Sequence, residues 1–263
     1  MKRSLTKSTI AASLVLSAAI VSQPAMAAPK FKVTLEAPGV QKSKLTNSSS
    51  GATGVLVENF DLETTGYKNN GLAFAGDPKI GSYDKADIVT ANQYGGVGGT
   101  GKFLIVQPGQ AGAPATYTQS TLTLTNPQRY FGFWWSAADD NNELDFYSGN
   151  DLLEKFTNTD VINLVNQQPN AKSYYGNPNS KFKGKDSIEP FAFLNFFADP
   201  TDTKVTYNKI VFINKSGKTG FETGSPTIAR SYQAVPEPSA LLGLGLVAGI
   251  GAFSQKRRIL KQA

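Results

Sequence analysis

Apolar and polar side chains alternate one by one through much of this chain. Phe31, Val33 and Leu35 alternate with Lys32, Thr34 and Glu36, the period-two mark of a strand with one buried face. Strand-like runs recur at 54–60 (GVLVENF), 71–76 (GLAFAG), 102–106 (KFLIV), 121–125 (TLTLT) and 129–136 (RYFGFWWS). Others lie at 143–148 (ELDFYS), 190–197 (PFAFLNFF) and 207–214 (YNKIVFIN), with 225–233 (SPTIARSYQ) expected to close the series. Clusters of Gly, Asn, Asp and Pro separate them, as turns require. DVINLVNQ at 160–167 is the clearest helical stretch, and 38–53 reads as a polar loop or linker. Many short strands with almost no helix predict an all-β fold, a single jelly-roll-like β-sandwich spanning 28–233.

The strongest core signal lies between 129 and 156. In FGFWWS, alternation puts Phe131, Phe133 and Trp135 on one side and Gly132, Trp134 and Ser136 on the other. The following ELDFYSGNDLLEKF reads as a hairpin: Leu144 and Phe146 point inward, 148–151 turn, and Leu153 and Phe156 return. Trp134 and Tyr147 then have two readings. They form a sugar-stacking platform, or they pack as aromatics commonly do in β cores.

The pattern changes at both ends. Lys2, Arg3 and Lys7 precede an apolar run from Ile10 to Val21, and Ala25-Met26-Ala27 gives the small-x-small site cut by signal peptidase. Residues 1–27 therefore read as a secretory signal peptide, since roughly 12 apolar residues fall short of the roughly 20 of a membrane span. At the other end, Pro236-Glu237-Pro238 precedes an uncharged apolar run, Ala240 to Phe253, and the basic cluster Lys256, Arg257 and Arg258. Gly243, Gly245, Gly249 and Gly251 within that run suit a membrane helix better than a soluble one.

This tripartite order over 234–263 resembles the PEP-CTERM sorting signal of bacterial exosortase substrates. The resemblance implies export, transient anchoring in the inner membrane through a short 240–253 helix, and processing near Pro236-Glu237-Pro238. Signal peptidase and an exosortase would be the partners, with the cell surface or extracellular matrix as destination. The segments GFWWSAADDNNELDFYSGNDLL, FAFLNFF, IVFINKSGKTGFET and QYGGVGGTGKFLIV are also similar to the ectodomain of one group of exosortase-dependent surface proteins. That similarity implies a surface or matrix role and carries no catalytic residue with it.

Charge and composition narrow the chemistry. The formal net charge is +6, but three of the 26 basic residues lie before Ala28 and four lie beyond Val235, where only Glu237 is acidic. Between those limits 19 basic residues face 19 acidic ones, so the excess belongs to the ends and gives no electrostatic case for nucleic acid. The chain has no cysteine and no histidine. Disulfides, Ser-His-Asp triads and the usual catalytic zinc sites are thereby excluded.

Three stretches suggest chemistry of their own. GVGGTGKF at 96–103 nearly spells a phosphate-binding loop, but Phe103 stands where Ser or Thr would hold magnesium, and a strand follows where a helix is needed. SAADDNNELDF concentrates hard oxygens, and Asp139, Asp140, Asn142 and Asp145 are the expected ligands of a structural calcium ion; the competing reading makes them turn formers. The segment 171–187 mixes Tyr174 and Tyr175 with four lysines, either to hold an acidic polysaccharide or as a solvated loop. Glu58, Asp61, Glu63, Glu143, Asp145 and Glu222 are candidates for a glycosidase carboxylate pair. The leading expectation is a non-enzymatic, sorted surface or matrix protein that binds extracellular polysaccharide, with no catalytic residue and no cofactor beyond the calcium ion. A secreted glycan-active enzyme and a purely structural envelope protein are the alternatives.

Overall fold

The computed structural model describes residues 30–47, 52–110, 112–216 and 218–232. The expected signal peptide, with Ala25 and Ala27, and the expected sorting segment, with Pro236 to Pro238 and Lys256 to Arg258, lie outside the described residues. In chain order the strands are β1 (Phe31–Leu35), β2 (Leu56–Val57), β3 (Gly66–Lys68), β4 (Leu72–Ala73), β5 (Gly81–Tyr83), β6 (Ala86–Thr90) and β7 (Lys102–Val106). They continue as β8 (Gln119–Gln128), β9 (Tyr130–Ser136), β10 (Asn142–Ser148), β11 (Asp151–Thr157), β12 (Ala192–Ala198), β13 (Tyr207–Asn214) and β14 (Phe221–Ala229). One α-helix, α1 (Asn158–Asn166), follows β11.

The strands form two antiparallel sheets. The eight-stranded sheet runs β1-β12-β9-β14-β7-β6-β3, with β2 paired to β14, and the six-stranded sheet runs β11-β10-β13-β8-β5-β4. Their inner faces enclose one large apolar cluster that includes Phe131, Phe133, Trp135, Leu144, Phe146, Phe196, Phe212 and Phe221. The architecture is a β-sandwich, as the alternation predicts. Phe131, Phe133 and Trp135 all point into its core, and Trp135 stacks on Phe221 with ring centres 4.6 Å apart.

Several elements differ in extent from their expected ranges. The 54–60 run pairs only over β2, and 71–76 yields β4 followed by a 3-10 turn, Phe74–Gly76. The closing strand begins at Phe221 rather than at 225, and the helix covers 158–166 rather than 160–167. Three strands, β3, β5 and β6, have no counterpart in the alternation. In β6 the buried Asp87 interrupts the apolar pattern.

The outer face of the eight-stranded sheet is covered by loops. Val97, from the glycine-rich segment, packs with Trp134, Ala137, Phe191 and Phe193 in a satellite cluster. Asn179 Nδ2 donates to Gly96 O (3.2 Å), Asn177 Nδ2 donates to Gln93 O (2.7 Å), and Gly98 N donates to Gln41 Oε1 (2.8 Å). The phosphate-loop look-alike is thus a cover laced to residues 177–179. Gly96 has φ +101°, and a Cβ there would run into Ala91, so glycine is required.

Candidate functional site

Four carboxyl groups gather where the β9–β10 loop, the 175–191 segment and the start of β14 meet. Asp139 comes from the first, Asp186 and Glu189 from the second and Glu222 from the third. Two residues that shape these turns, Ala137 (φ +49°) and Asp186 (φ +52°), hold left-handed backbone that non-glycine residues rarely adopt. The loops are tied by Ala138 N donating to Pro190 O (3.2 Å), Gly176 N donating to Glu189 O (3.2 Å) and Glu189 N donating to Asp186 O (3.1 Å).

The depths of the four groups differ. Asp139, Asp186 and Glu189 are half-buried, and Asp140, next to Asp139 in the chain, is exposed. Glu222 is 3% exposed. Its strand register sets it opposite Ile105 on β7 and Ser136 on β9, on the face away from the main core. Its Oε2 has no hydrogen-bond partner among the described residues, and neither does Oδ2 of Asp186.

Proximity shows in the acidities. Burial pushes Glu222 well above the carboxylate range, and the charges of Asp139, Glu189 and Asp186 push it further. Burial, then the Asp139 charge and a hydrogen bond to it, lift Glu189 to about 7. Burial raises Asp139 as well. Burial and the neighbouring Asp139 charge together favour the protonated form of Glu189.

The structure separates the four residues expected to bind calcium. Only Asp139 and Asp140 belong to this acidic cluster. Asn142, 1% exposed, spends its amide internally: Oδ1 accepts from Asp139 N (3.1 Å) and Trp135 Nε1 (3.4 Å), and Nδ2 donates to Gly220 O (2.9 Å). Asp145 belongs to the outer face of the six-stranded sheet, 3.5 Å from Lys155 Nζ. Among the described residues no three acidic side chains converge closely enough to ligate one metal ion.

The two aromatic candidates also part. Trp134 is 1% exposed beneath Val97 and Phe191, so its ring offers no face to a sugar in this structure. Alternation gave its direction, but the covering loops are a tertiary feature that no local pattern carries. Tyr147 lies on the open outer face of the six-stranded sheet, half-buried, with Lys209 Nζ 4.5 Å from its ring centre and its hydroxyl donating to Asp145 Oδ2 (3.3 Å). On the same face Glu143 takes Lys155 at 2.5 Å and Lys215 at 2.6 Å. Burial works to raise Glu143, but the hydrogen bonds and charges of the two lysines outweigh it and hold the group below its ordinary value.

Among the other glycosidase candidates, burial raises Glu58 against hydrogen bonds from backbone N–H groups, and the charge of Glu63 adds to the rise. Glu58 is 4% exposed and serves the backbone, accepting from Phe60 N (2.7 Å) and Ala75 N (2.6 Å). Asp61 accepts from Lys102 N at 3.0 Å. In the 171–187 segment, Tyr174 is buried and donates to Glu36 O (2.8 Å), while Lys172, Lys181, Lys183 and Lys185 stand on the surface or its edge. Sequence reading missed Glu189 and Asp186, which lie about 50 positions from Asp139, because only the folded loops bring them together. No family model and no curated protein matches the chain.

Proposed function

We propose that this chain is an exported surface or matrix protein, delivered by the PEP-CTERM-type tail, whose jelly-roll-like domain binds extracellular polysaccharide without chemical turnover. The observation that carries this reading is where the folded domain closes. β14 lies inside its sheet between β9 and β7, and the chain is pinned three residues later by Tyr232, whose ring packs 4.9 Å from that of Phe197. Pro236-Glu237-Pro238 follows four positions on, so cutting there would leave every strand in place.

Strand order supports the jelly-roll assignment. Strands β7 to β14 divide into β7-β14-β9-β12 in one sheet and β8-β13-β10-β11 in the other, the interleaving of two Greek keys. Lectins use this architecture, which is an analogy of fold and not of site. The open face bearing Tyr147, Lys155, Lys209 and Lys215 supplies an aromatic ring and ammonium groups of the kind that polysaccharides engage. A hydrolytic role fits less well. Glu143 and Asp145 are tied together by Lys155.

The test is processing in a host that has an exosortase. Mature protein should lack residues 1–27 and 240–253 by mass, and replacing Pro236-Glu237-Pro238 by alanines should trap unprocessed chain in the inner membrane. Secreted protein that keeps 253–263 would overturn the sorting reading. Release of shortened oligosaccharides from a glycan panel would overturn the non-enzymatic one.

A further inference from the structure

We infer that the outer face of the six-stranded sheet, around Tyr147, Lys155, Lys209 and Lys215, binds an extended anionic polysaccharide, one whose sugars carry carboxylate or sulfate groups. This deepens the polysaccharide-binding reading and rests on it. Strand register builds the face. β10 lies between β11 and β13, with Asp145 opposite Lys155 on one side and Tyr147 opposite Lys209 on the other. These residues alternate with Leu144, Phe146, Phe156 and Ile210, which point into the core, so they stand on the outward face. Each ammonium is held from below. Lys209 Nζ sits 4.5 Å from the centre of the Tyr147 ring. Lys155 Nζ reaches Glu143 Oε1 at 2.5 Å and the Asp145 carboxylate at 3.5 Å, and Lys215 Nζ reaches Glu143 Oε2 at 2.6 Å.

Depth turns this mixed set of charges into a positive surface. The side chains of Glu143 and Asp145 are 5% and 4% exposed, whereas those of Lys155 and Lys215 are 47% and 58% exposed. A ligand arriving from solvent meets ammonium groups and not the carboxylates beneath them. Those ammoniums still have hydrogen bonds to give, since each carries three N–H donors. Lys155 directs two at Glu143 and Asp145, Lys215 directs one at Glu143, and Lys209 directs none at an oxygen among the described residues. Groups already held in place lose little freedom when a partner binds. Position along the strand sets the ligand's shape. Tyr147 and Glu143, which hold the two ends of the lysine set, are four residues apart on β10, roughly 13 Å at about 3.4 Å per residue. A lone small anion does not span that distance, and a chain with repeated anions does. On the next strand β8 turns Thr121 and Thr123 to the same side, opposite Val211 and Lys209, and their hydroxyls suit those of sugars. A nucleic acid fits less well. The arginines of the described residues lie elsewhere, Arg129 bonded to Asp199 O and Arg230 beside Gly54, and the Tyr147 ring already carries an ammonium where a base would stack.

The experiment is equilibrium binding of the full chain to immobilised polymers: alginate as a polyuronate, dextran sulfate, unmodified dextran as the neutral control, and single-stranded poly-dT. Alginate and dextran sulfate should be held at about 20 mM salt and released towards about 200 mM as screening tightens, and dextran should not be held. Lys209→Gln and Lys215→Gln should each weaken binding about three- to tenfold and flatten its salt dependence, with the melting temperature unchanged. Lys215 is the more exposed of the two, so its variant carries the test should Lys209→Gln disturb the fold. Lys209→Arg keeps the charge and should bind like the parent. Dextran held as tightly as alginate, or anionic binding that neither glutamine variant weakens, would overturn this inference and leave the polysaccharide reading standing. Retention of poly-dT in preference to alginate would overturn it in favour of nucleic acid. Retention of no polymer would overturn both readings together.

Discussion

Two adjacent tryptophans show how far single residues could be read. Alternation aims Trp135 inward, and it does stack on Phe221 in the core. The same alternation aims Trp134 outward, and the loop carrying Val97 buries it there. Direction is local, whereas cover is tertiary. Trp135→Ala should therefore cost about 3–5 kcal/mol in urea unfolding, the toll of emptying a large aromatic site. A loss under about 1 kcal/mol would place the ring outside the packed core. Asp87 offers a test that depends on pH. It is fully buried, neither carboxylate oxygen has a partner among the described residues, and burial raises it to about 6 from an ordinary 3.8. Below about pH 4 the group is protonated in both states, and its contribution to stability is intact. Between 4 and 6 the unfolded chain ionises first, and that stability drains away as pH rises through the folded value. Asp87→Asn carries no such penalty. Relative to the parent, it should gain up to about 3 kcal/mol between pH 4 and pH 7.5. A parent-to-variant difference that is the same at both pH values would show that the carboxylate is compensated in the fold.

At the scale of elements, legibility followed length and regularity. The β10–β11 hairpin was readable because Leu144, Phe146 and Phe156 keep their period around a Gly149-Asn150 turn, even with a register shift between Phe146 and Tyr147. Strands β3 and β5 are three residues each, too short for a period to declare itself. The helix was legible, but its start was set by chemistry one turn earlier. Thr157 caps α1 in a box with Asp160, whose Oδ2 accepts from Thr157 N (2.8 Å) and from Thr157 Oγ1 (2.7 Å). Asp160 also lies in the helix's first turn, where the dipole favours an anion. Asp160→Ala should cost about 1 kcal/mol of global stability by denaturant titration. Asp160→Asn should recover part of that loss, because its side-chain oxygen still accepts. A neutral effect of the alanine variant would mean that packing of Val161 and Val165 alone holds the helix.

For the whole molecule, the pairing of distant strands was the part that composition and period could not supply. β14 pairs with β9 and with β7, which are separated from it by roughly 90 and 115 positions, and no local signal encodes such partners. The acidic cluster is unreadable for the same reason, since its four carboxyls come from segments that are far apart in sequence. The last strand in sequence is thus an interior strand in space, and this makes the fold depend on its own C-terminal end. A chain stopping at residue 219 would lack Phe221 against Trp135 and leave β9 and β7 with bare edges inside what should be a continuous sheet. Residues 30–232 should fold on their own, giving a β-dominated circular dichroism spectrum and one cooperative urea transition. Residues 30–219 should not, and should aggregate or show no transition. The contrast also bears on the proposed sorting: were the chain exported and processed, the domain would reach its final pairing only after β14 had crossed, and a cut ahead of residue 232 would remove part of the fold. If the 30–219 fragment unfolds cooperatively at the same urea concentration as 30–232, β14 is an accessory to the sandwich, and the proposed placement of a sorting cut after it loses its structural rationale.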